Sequence, residues 1–226
     1  MRRKIVAVIP ARGGSKGIPR KNLALLAGKP LIWYSIQSAK ESGLFDEILV
    51  SSDDDEILQL AISEKVLAQK RPLTLAQDLT TSNEVINFII EENKYEKSDL
   101  ICLLQPTSPF RTAIHIKNAF SIRNEHSTVI SVKKQNKSVY KTFLLGEDGF
   151  LQGLVSSEAP FIPRQLIPDL YLPNGAIYIF SVEKFIESKN KIPQTNIVPF
   201  VMEDIESIDI DSSEDLIMAN QILESK

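Results

Sequence analysis

Between Lys4 and Lys133 the chain alternates short β-rich runs with stretches whose apolar residues recur at helical spacing. That alternation leaves few folds open. Strands separated by helices pair in parallel, and a parallel sheet needs helices on both faces. Lys4–Pro10, Glu47–Ser52, Leu100–Gln105 and Thr128–Lys133 read as strands. Pro30–Ser42, stopped by Gly43, reads as a helix. Asp53 to about Lys65, Ser82–Lys94 with Ser82 as its cap, and Thr112–Asn124 read as the next three. Residues 134–172 then mix Gly, Pro and polar residues with no long period. Regular patterning returns with Gly175–Phe180 as a strand, Glu183–Ser188 as a helix, Ile205–Ile210 as a strand and Ser213–Leu223 as a helix. The expectation is one α/β domain over residues 1–226, with a mostly parallel sheet and 134–172 as an insertion.

Several classes of function are disfavoured early. No apolar run approaches the ~20 residues a membrane helix needs. The apolar stretch Ile5–Ile9 ends at Pro10 and Arg12, too short for the core of a signal peptide. The single cysteine, Cys102, lies in an apolar strand and reads as a core residue. With no second cysteine to pair, a reducing cytoplasm is the expected home. A net charge of −3 argues against nucleic acid as the partner. Neither His115 nor His126 sits at a metal or triad spacing, so both read as surface or structural residues.

Charge distribution says more than net charge. Residues 1–30 carry Arg2, Arg3, Lys4, Arg12, Lys16, Arg20, Lys21 and Lys29 and no acid. Residues 203–215 carry Glu203, Asp204, Glu206, Asp209, Asp211, Glu214 and Asp215 and no base. One end suits anions and the other cations, as a metal-bound nucleotide requires.

The first strand runs into Pro10-Ala11-Arg12-Gly13-Gly14-Ser15-Lys16-Gly17-Ile18-Pro19-Arg20-Lys21-Asn22. Its glycines let backbone N–H groups approach phosphate oxygens, and its basic residues add charge. The run is neither a Walker A loop nor a dinucleotide fingerprint. Near the other end stands Ser207-Ile208-Asp209-Ile210-Asp211-Ser212. In a strand, Asp209 and Asp211 would share a face, and two carboxylates suit Mg²⁺. Ser212-x-x-Asp215 also fits a helix cap. In open α/β sheets ligands sit beyond the carboxyl ends of strands, where Ala11–Asn22, Asp53–Asp55 and Gln105–Arg111 all fall.

The loop, together with Arg71-Pro72, Ser82, Leu104-Gln105-Pro106-Thr107-Ser108-Pro109, Pro163-Arg164-Gln165, Pro173-Asn174-Gly175-Ala176-Ile177-Tyr178 and Asp209-Ile210-Asp211, resembles the acylneuraminate (CMP-sialic acid) cytidylyltransferases in the same order. The resemblance implies a three-layer Rossmann-like nucleotide-diphospho-sugar transferase fold whose 134–172 insertion dimerises and completes the partner's site. It implies transfer of CMP from CTP to a nonulosonic acid, with release of pyrophosphate. By the same resemblance, Arg12 and Lys21 hold phosphates, with Ala11, Gly13, Ser15 and Lys16 completing the loop. Asn22, Arg71 and Ser82 meet the cytidine. Gln105, Lys141, Arg164, Asn174 and Tyr178 lie toward the sugar acid, and Asp209 and Asp211 bind Mg²⁺. Arg12, Lys21, Arg164 and Asp211 are the implied catalytic set. Residues 134–172 follow the family least, so N-acetylneuraminate, legionaminate and pseudaminate stay unresolved as acceptors. Alternatives are a 3-deoxy-manno-octulosonate cytidylyltransferase, whose first loop lacks the Gly-Gly-Ser-Lys-Gly run, a uridylyl- or guanylyltransferase, and a non-catalytic nucleotide-sugar binding protein.

Overall fold

The computed structural model describes residues 2–125 and 127–225. His126, expected to be a surface or structural residue, lies outside the described residues. Among the described residues eleven strands and six α-helices are formed: β1 (Ile5–Pro10), β2 (Leu25–Leu26), β3 (Lys29–Pro30), α1 (Leu31–Ser42), β4 (Glu47–Ser52), α2 (Asp55–Ser63), β5 (Leu67–Lys70), α3 (Ser82–Asn93), β6 (Leu100–Leu103), α4 (Ala113–Ser121), β7 (Thr128–Gln135), β8 (Phe143–Leu145), β9 (Leu151–Gly153), β10 (Leu170–Ser181), α5 (Val182–Glu187), β11 (Ile197–Val201) and α6 (Ser213–Glu224).

Seven strands make the central sheet, in the order β11-β7-β10-β6-β1-β4-β5. Only β10 runs against its neighbours β6 and β7; the other pairings are parallel. Side-chain alternation splits the sheet into two apolar faces. Ala7 and Ile9 of β1 pack with Ile32 and Ile36 of α1, Ile57 of α2 and Ile116 of α4. Val6 and Val8, the alternate residues of the same strand, pack with Ile86 and Ile89 of α3 and Phe185 of α5. Both faces are therefore covered, and the expected three layers are present. Among the described residues no helix is long and apolar enough to cross a membrane.

A third, smaller core matters most for function. Ile18, from the Gly-rich loop, and Ile210, between the two aspartates, are buried together with Leu26, Leu31, Phe110 and Ala219. Burying an isoleucine side chain contributes about 1.5–3 kcal/mol. These two lone apolar residues thus pull opposite ends of the chain into one place.

Three local expectations are corrected. Helix α3 is capped by Thr81, whose hydroxyl and Glu84 form a reciprocal capping box; Ser82 is the first helical residue. Ile205–Ile210 is no strand. Ser207 N–H turns back to the Glu203 carbonyl at 3.0 Å, and Ile210 N–H donates to the Thr107 carbonyl at 2.8 Å, so the backbone is satisfied by a turn and a loop instead of a ladder. The edge strands β5 and β11 have no counterpart in the sequence pattern. β5 has only four residues, two of them polar, and β11 is apolar but carries Pro199 at its centre and three exposed positions, so neither reads as a buried strand.

Candidate functional site

A cleft of about 360 Å³ opens beyond the carboxyl ends of β1 and β6. Arg12, Gly14, Ser15, Lys21 and Asn22 form one wall, and Asp209 and Asp211 lie in another. Arg71, Thr81, Ser82, Gln105 and Thr107 complete the part that concerns chemistry. Although Asp209 and Asp211 belong to no strand, the expected alternation survives. Ile210 points into the third core, and both carboxylates line the cleft.

The loop is shaped by close approach. A Cβ on Gly17 would lie 2.2 Å from the Asp211 carbonyl oxygen, and one on Gly13 would lie 2.8 Å from the Asp54 Cβ. Gly13 N–H donates to Asp53 at 3.1 Å, and the Asn22 amide donates to the Arg12 carbonyl at 2.9 Å. Asn22 is therefore a brace of the loop as well as part of the wall. Ala11 is buried behind it, with its N–H on the Ser51 carbonyl.

The basic residues divide by direction. Arg20 adopts left-handed backbone, φ 52°, and ion-pairs with Asp54 and Glu56 at the start of α2, away from the cleft. Arg12 and Lys16 both grip Asp78, at 2.8 and 2.9 Å. Those two cations hold the Asp78 carboxyl below the ordinary range. Lys21 lies 2.8 Å from Asp211 and bridges the loop to the acidic pair. Asp78 carries no signal in the sequence, since a lone acid in a loop has no pattern.

Arg71 behaves differently from every other cation in the cleft. It is buried, its Nε and Nη1 have no hydrogen-bond partner among the described residues, and Asp53 is 3.9 Å from Nη2. Burial pulls its pKa down. A desolvated guanidinium at a cleft wall keeps donors that an acceptor from a ligand could satisfy.

Asp209 is the counterpart among the acids. Burial pushes its carboxyl up and Asp211 adds to this, against a hydrogen bond from Thr107. Among the described residues no third His, Cys, Asp or Glu closes a cluster around the pair. Two carboxylates, one of them held at an energetic disadvantage, leave the remaining positions to water and substrate oxygens. This donor set fits Mg²⁺.

A second cavity of about 360 Å³ adjoins the first and shares Gln105 and Asp209 with it. Tyr178, Asn174, Gly175 and Lys133 also line it. Burial raises the Tyr178 pKa. The Asn174 side chain is committed inward. Its oxygen accepts from Ser131 at 2.6 Å, and its amide donates to Ser207 at 2.9 Å. It shapes the cavity wall and its amide has little left to offer a ligand.

Lys141 and Arg164 are not brought to either cavity. Both belong to the 134–172 segment, and Arg164 lines a separate pocket with Lys134, Lys137 and Asp169. That segment forms the small β8–β9 hairpin and exposes Phe143, Leu144, Leu145, Phe150, Leu151, Leu154, Phe161 and Leu166. Of the two histidines, His115 is structural: it completes the cap of α4 and lies 3.1 Å from Glu206. Cys102 is fully buried, as expected. Arg111, to which the sequence reading gave no role, is fully buried too, and burial lowers its pKa to about 10.

Comparison with known proteins adds a family profile described as cytidylyltransferase, which matches residues 6–215. An N-acylneuraminate cytidylyltransferase of Streptococcus agalactiae is 33% identical over 95% of this chain and 52% of its own length. The chain thus spans about half the length of that curated relative. A CMP-N,N'-diacetyllegionaminic acid synthase of Legionella pneumophila is 33% identical over 98% of this chain and 97% of its own. The solved structure of a CMP:2-keto-3-deoxy-manno-octonic acid synthetase complexed with CTP matches with a TM-score of 0.74 at 17% identity, covering 98% of this chain and 99% of its own. That likeness concerns the fold.

Proposed function

The chain belongs to the cytidylyltransferase family, and on that premise we propose that it transfers CMP from CTP to the anomeric hydroxyl of a nonulosonic acid, releasing pyrophosphate. One observation carries the reading. A cationic Gly-rich loop and an acidic pair face one cleft, and a second cavity joins it at Gln105 and Asp209. A donor and an acceptor placed in the two cavities would meet at that junction.

Each wall has a task. Arg12 and Lys21 take the phosphates and stabilise charge as pyrophosphate departs, and the loop amides add neutral donors. Arg71, Asn22 and Ser82 serve the cytidine, whose carbonyl oxygen answers the unpaired guanidinium. Gln105 and Tyr178 orient the sugar acid so that its anomeric oxygen lies in line with the α-phosphorus. Asp209 and Asp211 would hold Mg²⁺, which when bound neutralises phosphate charge and lowers the pKa of a hydroxyl or water beside it. Lys21 balances the acidic pair until substrate arrives, then has phosphate to bind.

The exposed apolar side chains of 134–172 are read as a dimerisation arm within a single domain. Arg164 and Lys141 would then reach the partner's acceptor cavity, which explains why neither reaches its own. The work of such an enzyme belongs in the cytoplasm, where CTP is found. The acceptor's substituents are left open between sialic, legionaminic and pseudaminic acids, since relatives named for each are equally similar at 33% identity.

The test is product identity. Purified protein with CTP, Mg²⁺ and a panel of nonulosonic and octulosonic acids should yield a CMP-sugar by mass spectrometry together with pyrophosphate. Pyrophosphate from UTP and a sugar 1-phosphate, with none from CTP, would overturn the reading.

A further inference from the structure

Arg111 has 2% of its surface exposed, and every hydrogen bond it makes among the described residues goes to a neutral oxygen. Nη1 donates to the Gln105 carbonyl at 3.1 Å and to the Ala176 carbonyl at 3.0 Å, and Nη2 donates to the Ser35 hydroxyl. Ser35 in turn donates to the Gln105 carbonyl at 3.2 Å. A buried cation held only by neutral groups is a costly way to fill a core, and an apolar side chain would pack there without desolvation.

What the carbonyl partners share is their location. Gln105 follows the end of β6, and Ala176 lies within the break in β10, where the register with β7 shifts between Pro173 and Tyr178. At that break Gly175 has φ +79°, and a Cβ there would lie 2.3 Å from the Gln105 side-chain oxygen. Gln105 lines both cavities. We propose that Arg111 is a positioning residue for the acceptor. It locks the Gln105 backbone against the Gly175 bend and so fixes where the Gln105 side chain stands between the two cavities. This rests on the functional reading above.

Arg111→Lys keeps the charge and loses the planar fork that spans three oxygens. With CTP and the best acid from the panel, its KM for the acid should rise about tenfold or more, as small misplacements of a positioning group do. Its KM for CTP should stay within about twofold, and in a Gln105→Ala background the same exchange should move the acid KM by less than about twofold. A merely structural role would lower the melting temperature and leave the ratio of the two KM values unchanged, which would overturn the proposal. If Arg111→Lys does not fold, Ser35→Ala removes one oxygen from the same clamp. A severalfold rise in acid KM supports the proposal, and an unchanged KM overturns it. Silence of the native chain with every acid would be a different failure, since it would remove the functional reading and this inference together.

Discussion

Arg71→Met separates a side chain kept for binding from one kept for stability. The native residue is 5% exposed, and among the described residues Nε and Nη1 have no partner. Its nearest carboxylate oxygen, on Asp53, is 3.9 Å away, beyond hydrogen-bonding distance. The effective penalty for burying such an ion is of the order of several kcal/mol, only partly offset by one long contact. Methionine fills similar space with no charge to desolvate. Relief of even about 1 kcal/mol would raise the ligand-free melting temperature by about 2–4 °C in a chain of this size. A hydrogen bond from a charged group to a bound acceptor contributes roughly 1.5–3 kcal/mol. Losing it should therefore weaken CTP binding about 10- to 150-fold. Thermal melts without nucleotide, paired with calorimetric titration of CTP, read both numbers on one preparation. A variant that melts several degrees lower and binds CTP with the native Kd would refute the reasoning.

Other outcomes follow from the same geometry. Asp78→Asn frees Arg12 and Lys16 from a competing carboxylate; because that pair is exposed, KM for CTP should fall only about two- to fivefold, and the gain should vanish at high salt. For Asp209 the folded carboxyl titrates above its unfolded value, so its charge withholds stability as pH climbs through that raised pKa and withholds none well below the ordinary Asp range. Asp209→Asn should thus melt higher than the native chain near neutral pH in metal-free buffer, with the gap closing toward about pH 3–4, while turnover falls on the order of 10²–10³-fold. On the arm, Leu145→Asp with Phe161→Asp places charge on side chains that are 74% and 78% exposed. Sedimentation velocity should report a monomer where the native chain sediments as a dimer, and acceptor turnover should fall at least about tenfold, because an interface of roughly 1,000 Å² does not survive two buried carboxylates.

The layers of the fold were legible because each of β1, β4 and β6 is an apolar run with a helix after it. Alternation along β1 even divides into two cores, with Val6 and Val8 on one side and Ala7 and Ile9 on the other. The edges were not legible. β5 is four residues long and β11 carries Pro199 at its centre, and short half-exposed strands leave no periodic trace. For the site, the Gly-rich loop and the acidic pair were visible as motifs. Their meeting was expected from charge alone; what brings it about, Ile18 and Ile210 sharing a core across nearly the whole chain, was not legible. For Asp209 and Asp211 the expected strand is absent, yet both carboxylates line the cleft, because burial of Ile210 turns its two neighbours outward. Asp78 went unremarked and Arg111, inside the Gln105–Arg111 segment, received no role for a related reason. Each acts through a partner more than sixty residues away, at Arg12 or at Ala176, and no local pattern encodes such a contact.

The central claim is that the sugar's own anomeric oxygen attacks the α-phosphorus of CTP. An acceptor acid labelled with ¹⁸O at the anomeric hydroxyl, incubated with CTP, Mg²⁺ and the protein, tests this most directly. Mass spectrometry should find the label in the bridge of the CMP-sugar and none in pyrophosphate. Label lost to water, or appearing in pyrophosphate, would contradict the account.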